Sequence, residues 1–431
     1  MAASLLGSLY VFFLFSHASE FIDSTGHLRL VAIVAILATF AALLGGKLLD
    51  SISSTTGISL SLFTILLIVG IPFSVWKGGS FKAFADLWWK SYVTFCIVSA
   101  LTFSIGQMRR LYLVLASASV GIVYLSIKAG KADEGRLSLE YGSLGNANDL
   151  ASALLICLPF VTYVILDKSR NALVRLAFVG IAVMILLTVT KTGSRASLLV
   201  LGGMALLMFF KAGIANKAKI LACSALLIAV LPLFVSKELI TRYATTFSAS
   251  YADASPDTAV SAIQSTQARK ELMRNAVILT FRHPVFGVGL GNFYMQSSNL
   301  EVEQGNPPLW FTCHNVFLLV SSETGLPGLL CFITAIGSSI ITLLKIQRAT
   351  KNVAALAEVS AMCFCLTMSL FAYVATGLFN TNAYGMQMPA LAGLTVAMYR
   401  VTKPIIIKAD EQRLNAFRLA IPIQPSKLGS G

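Results

Sequence analysis

Three stretches of the chain carry residue types suited to chemistry on a phosphorylated or hydroxylated substrate. The first is TVTKTGSRASLLVL, residues 188–201, where Lys191 and Arg195 stand between two long apolar runs. A guanidinium at the mouth of an apolar helix is costly and generally has a partner. The alternative is that its stem snorkels and the head reaches lipid headgroups. The second is FTCHNVFLLVSSETGLPGLLCF, residues 311–332. There His314 stands where a polar loop meets an apolar run, and an imidazole of ordinary pKa can take a proton from an incoming hydroxyl. The same position also suits a His that starts a helix or sits among headgroups. The third is LSLEYGSLGNANDLASALLICLPF, residues 137–160, where Asn146, Asn148 and Asp149 read as helix-capping residues whose amides can also hold a sugar hydroxyl.

A fourth stretch is basic and amphipathic. In STQARKELMRNAVILTFRHPVFGVGLGNF, Arg269, Lys270, Arg274 and Arg282 mix with Leu272, Met273, Val277 and Leu279. The pattern predicts a helix over 259–282, stopped by Pro284, which either lies on a membrane surface or presents a solvated cationic face. The GVGLGNF that follows spaces its glycines GxGxG, which predicts a tight turn and not a nucleotide fingerprint. Glu323 lies nine residues after His314, on the opposite face of a regular helix and about 13 Å further along it. With Gly325 and Pro327 close by, Glu323 reads as a buried structural acceptor. No Asp-x-Asp pair, P-loop or HExxH occurs, so no residues are visible for a metal- or ATP-driven mechanism.

The elements that must position these residues follow from composition. Of 431 residues 56% are hydrophobic and 12% charged, with mean hydropathy +0.78, whereas soluble domains carry roughly 25% charged residues. In hydrocarbon every backbone polar group must be paired within its own structure, so recurrent apolar runs are helices or barrel strands. The runs do not alternate, which excludes the barrel. The expected fold is therefore all-α: a polytopic membrane protein with about 12 transmembrane helices, centred near residues 12, 39, 66, 97, 119, 157, 181, 203, 227, 329, 368 and 392. The N-terminal run has no Lys/Arg-rich start and reads as a first spanning helix and not as a cleaved signal. Residues 1–235 then hold helices one to nine, 236–313 form a large periplasmic segment with amphipathic helices, 314–400 hold the last three, and 401–431 form a basic cytoplasmic tail. The seven cysteines are scattered without CxxC or Cys/His clusters, which argues against zinc and for buried thiols.

Orientation follows from Lys and Arg in short loops. With the N-terminus inside, 17 basic residues between Arg109 and Lys427 face inward, against 8 between Lys77 and Arg195 facing outward. Lys191, Arg195, the 237–313 segment and His314 all fall on the outer face.

Taken together, four patches resemble the O-antigen ligase and O-antigen polymerase family of bacterial inner-membrane glycosyltransferases. They are GNANDLA, TKTGSRASLL with Thr192, Ser194, Arg195 and Ala196 in register, ARKELMRNAVILTFRHPVFGVGLGNF, and HNVFLLVSSETGLPGLLCF. The resemblance covers roughly residues 140–335, and Met273 stands where the family often has Trp. It implies a polysaccharide donor on undecaprenyl pyrophosphate, a lipid A–core sugar hydroxyl as acceptor, membrane lipids as surroundings, and neither cofactor nor metal nor nucleic acid. It implies Arg195 and Arg269 as cations stabilising the leaving pyrophosphate and His314 as the general base of an inverting attack. Lys191, Ser194, Arg274, Arg282, Asn146, Asn148 and Asn315 become candidate substrate-binding residues. A polymerase using the same donor is the alternative within the family. A transporter of lipid-linked sugar is the alternative from another class, weakened by having Glu323 as the one obvious deep carboxylate.

Overall fold

The computed structural model describes residues 2–18, 20, 30–45, 48–133, 135–140, 142–230, 239, 256–351 and 353–420. About 80% of the chain is helical. The helices are α1 (Ala2–Ser16), α2 (Leu30–Leu44), α3 (Leu48–Ile52), α4 (Thr55–Gly70), α5 (Lys77–Ala83), α6 (Trp89–Ala100), α7 (Ile105–Lys128), α8 (Ala147–Leu166), α9 (Ala172–Lys191), α10 (Arg195–Lys211), α11 (Ile214–Val230), α12 (Pro256–Arg282), α13 (Phe293–Glu303), α14 (Val316–Thr350), α15 (Ala357–Gly377) and α16 (Gln387–Ala420). Several begin at a side chain that accepts from an otherwise unpaired N–H. Ser54, Ser104, Asn146, Asn171, Ser194 and Asn315 do this for α4, α7, α8, α9, α10 and α14.

Each of the twelve hydropathy centres falls inside one of these helices. Among the described residues seven helical stretches are long and apolar enough to cross a membrane, at 55–73, 105–128, 147–166, 172–191, 316–350, 354–377 and 387–408. The other five centres lie on helices of 12 to 17 residues. A span needs about 20 residues, with a range of about 17–25, so seven spans are supported by length and hydropathy, and the other five helices do not by themselves establish a count of twelve. Charge trims α10, which runs only from Arg195 to Lys211. Around α6 the helical rod is unbroken, α5 running through a π-helical turn at Phe84–Trp88 straight into α6.

One small departure from all-α structure occurs among the described residues. Strands β1 (Gly130–Asp133) and β2 (Arg136–Leu139) pair antiparallel with Asp133 opposite Arg136. The helix α16 continues to residue 420, past the expected tail boundary at 400, while residues 236–238, 240–255 and 421–431 of the expected segments lie outside the described residues.

Helix α8 is the centre of the bundle. In its apolar stretch 72% of residues are buried, against 17% in neighbouring α9. Leu150, Leu154, Cys157, Phe160 and Val161 are buried against α7, α9 and α15. A second packing group joins α4 to α14 and α6 to α16. It is fastened by Thr56 Oγ1 to Ser338 Oγ at 2.9 Å and by Arg400, whose Nη2 donates to Thr102 O at 2.8 Å.

Polar contacts fix the two ends of the bundle. At one end α8 begins, α15 ends and α14 begins: Ser152 Oγ meets Thr376 Oγ1 at 2.8 Å, and a Cβ on Gly377 would stand 3.4 Å from Val316. At the other end α7 begins, α8 ends and α15 begins. Arg109 Nε donates to Glu358 Oε1 at 2.6 Å, and Tyr163 Oη donates to the same oxygen at 3.0 Å.

Candidate active site

The motif that carries Arg195 is a tight helix–turn–helix. Thr192 closes α9 with its N–H on Thr188 O at 3.1 Å and its hydroxyl on Val189 O at 2.6 Å. Gly193 has φ +62°, the left-handed region that glycine occupies freely. Ser194 then starts α10, its Oγ accepting from Ser197 N at 3.4 Å and from Ser197 Oγ at 2.9 Å. Arg195 is the first residue of α10 and is half-buried. A cation at a helix N-terminus opposes the helix dipole by about 0.3–1 kcal/mol, so the helix gains nothing from it there. Among the described residues neither Arg195 nor the exposed Lys191 has a hydrogen-bond or ion-pair partner. Two cations thus flank the turn at which a helix start offers its N–H groups, a favourable setting for an anion.

The hairpin β1–β2 brings Arg136 onto this turn. Its Nε donates to Thr192 O at 3.0 Å, and its Nη2 donates to Asn148 Oδ1 at 3.1 Å. Asn148 N in turn donates to Asn146 Oδ1 at 2.8 Å, the cap of α8. One turn further in, Asp149 Oδ1 is buried and has no hydrogen-bond partner among the described residues.

The other half of the site is built by α12 and α14. Asn315 caps α14, its Oδ1 accepting from Phe317 N at 3.0 Å and Leu318 N at 3.1 Å, and its Nδ2 donates to Leu378 O at 3.5 Å. His314 therefore stands just outside the helix, half-buried. Burial pushes its imidazole down to about 4, and the positive charge of nearby Arg269 acts in the same direction. At neutral pH the ring is uncharged and has a nitrogen free to accept a proton.

What holds α12 beside α14 is a pairing of two breaks. Gly325 leaves the helical region (φ 72°, ψ −175°) and divides α14, which frees carbonyls that a continuous helix would use. The glycine turn after α12 takes them up: Val288 N donates to Ser322 O at 2.8 Å and Gly289 N to Glu323 O at 3.0 Å, while Leu326 N donates to Pro284 O at 2.8 Å. Gly287, Gly289 and Gly291 all have positive φ, so GVGLGNF is indeed a tight turn. Glu323, 3% exposed, accepts from Phe293 N at 3.1 Å through Oε1, which is the structural role its position suggested.

The bonds place Lys191, Ser194, Arg195, Asn146, Asn148, His314 and Asn315 at one end of the bundle. The links run from Arg136 through Asn148 to the start of α8, through Ser152–Thr376 to the end of α15, and through Leu378 to Asn315. Arg269 belongs with them by its effect on His314. Arg274 is exposed on α12. Arg282 is not brought to this group. It pairs with Glu303 at 3.0 Å on the surface, 13 residues along α12 from Arg269 and so about 20 Å away along the helix. The hydroxyl of Ser194 and the amide oxygens of Asn146 and Asn315 are engaged in caps. In the sequence Arg136 is only one more cation in an outward-facing loop. The one signal available is its place at the head of a short alternating stretch, RLSLE.

By composition, helix length and helix packing the chain is a multi-pass, all-α membrane protein with a cationic, histidine-bearing cluster at one end. Residues 176–333 match the family model described as O-antigen ligase, and the match supports placing the chain in the O-antigen ligase and polymerase family. In general terms this supports a glycosyltransferase-like enzyme acting on a lipid-linked glycan and a lipid acceptor. The matched stretch includes Arg195, Arg269 and His314, whereas Asn146 and Asn148 precede it. No curated protein matches the chain.

Proposed function

We propose that the protein is an O-antigen ligase of the bacterial inner membrane, transferring polysaccharide from undecaprenyl pyrophosphate to a sugar hydroxyl of lipid A–core on the periplasmic side. The observation that carries this reading is Arg195, a half-buried cation at the start of α10 with no protein partner among the described residues, inside the stretch that matches the family. Arg195 binds the donor pyrophosphate with the N–H groups of the α10 start, and Lys191 adds positive field. Arg269 stabilises the charge that builds on the leaving group. His314 takes the proton from the acceptor hydroxyl as its oxygen attacks the anomeric carbon. The sugar–phosphate bond breaks with inversion, and undecaprenyl pyrophosphate departs. The donor bond supplies the driving force, so the step needs no nucleotide triphosphate.

Arg195→Ala and His314→Ala each lower transfer by about 100-fold or more, the usual scale for a charge-stabilising donor or a general base. In cells lacking the gene, full-length glycan remains on undecaprenyl pyrophosphate and lipid A–core stays bare. A lipid A–core carrying a single repeat unit identifies a polymerase instead, and an unchanged profile rejects both.

A further inference from the structure

We infer that Arg136 is a positioning residue for this transfer, holding the turn from which Arg195 is aimed; the inference rests on the function proposed above. The hairpin turn sets Arg136 at the start of β2, and the β2 strand is itself anchored, with Leu139 N donating to Leu144 O at 3.1 Å. From this fixed base the guanidinium reaches two segments at once. It donates through Nε to Thr192 O at the end of α9 and through Nη2 to Asn148 Oδ1 at the start of α8.

The stem of Arg136 also lies along Gly193. A Cβ at that position would stand 3.2 Å from Arg136 Cγ and 2.8 Å from Leu239 Cδ2. The turn is thus clasped on its carbonyl side and on its glycine face, two and three residues before Arg195. A planar fork with separate donors can bridge two acceptors that differ in direction, whereas an ammonium is a single point. Clasping matters because a charge-stabilising group works only when held in place before the charge develops.

The test uses the full-length protein in detergent, an undecaprenyl-pyrophosphate-linked glycan as donor and lipid A–core as acceptor. Arg136→Ala is expected to lower kcat about tenfold or more with acceptor KM within about twofold, and Arg136→Lys to fall between it and wild type. Arg195→Lys provides a weakened second background. There Arg136→Ala costs less than about threefold further, because its effect passes through a group already impaired. The inference is overturned if Arg136→Ala runs within twofold of wild type, or carries the same penalty in both backgrounds. Should Arg136→Ala not yield folded protein, Arg136→Gln, which keeps a donor but loses the fork, runs the same cycle with the same criteria. If Arg195→Ala and Arg195→Lys transfer at the wild-type rate, the proposed function loses its site. If they are impaired while the Arg136 variants are not, only the positioning role fails.

Discussion

His314 and Arg269 set a pH signature that belongs to single residues. The imidazole is lowered to about 4, chiefly because it is buried and secondarily because Arg269 is near. A group whose pKa is lowered stays neutral, and able to accept a proton, down to that pKa. The free enzyme should therefore keep kcat/KM to well below the ordinary histidine value, losing it on an acid limb near 4. A bound pyrophosphate offsets the Arg269 charge, so the limb seen in kcat should move upward. Profiles from pH 3.5 to 8, with preincubation controls for unfolding, check both; a kcat/KM limb at 6.5 overturns the assignment. Arg269→Gln should move the free-enzyme limb up only in part, since burial is the larger cause. At this scale Arg195 and His314 stand out in the sequence as ionisable residues at the edges of apolar runs, whereas Arg269 is singled out only by the resemblance to the family. Arg136 stands out in neither way: a lone Arg in a four-residue strand carries no periodic signal, and its partners lie 12 and 56 residues away.

Among the elements, α12 and α14 depend on glycines where their two breaks meet. At Gly287, with φ +65°, a Cβ would fall 2.3 Å from the carbonyl carbon of Glu323 and 2.4 Å from Thr324 N. These are backbone atoms that cannot rotate away. Gly287→Ala should therefore cost about 1–3 kcal/mol in backbone strain alone, and more where the turn lifts off α14. A fall in the thermal midpoint in detergent, with transfer lost in parallel, is the expected result; an unchanged midpoint shows that the turn does not hold α12 to α14. The helices were readable from hydropathy because backbone pairing inside an apolar medium leaves few other options. Which carbonyls a glycine break would free, and which N–H groups would meet them, was not readable. That pairing joins residues more than 30 apart and depends on φ angles that glycine permits but does not announce.

For the whole molecule, the two ends of the bundle give the orientation a direct test. Lys191 is exposed at the end that bears Arg195, and Lys168 is exposed at the end that bears the Arg109–Glu358 pair. In a cysteine-free background, Lys191→Cys should react with a membrane-impermeant maleimide added outside the inner membrane. Lys168→Cys should react only after permeabilisation. The reverse pattern would place the candidate site in the cytoplasm and remove its access to a periplasmic donor. The Arg109–Glu358 pair itself is partly exposed, 42% and 36%, so breaking it should change stability by less than about 1 kcal/mol. Charge asymmetry in the short loops is what the expected orientation rests on, and the labelling pattern tests it. The number of spans was less legible in the sequence, because helices of 12 to 17 residues and full spans share the same local hydropathy.

The pairing of the glycine turn with the divided α14 also bears on how the chain is made. The turn, residues 284–292, leaves the ribosome before the segment that supplies its acceptors at Ser322 and Glu323. Until that segment arrives, the N–H groups of Val288 and Gly289 lack the acceptors they have in the finished protein. A chain stopped short of residue 316 lacks both acceptors and so cannot hold the turn against α14. Assembly of the site is a late event in synthesis, completed only when the end of α15 supplies Thr376 to Ser152 and Leu378 O to Asn315.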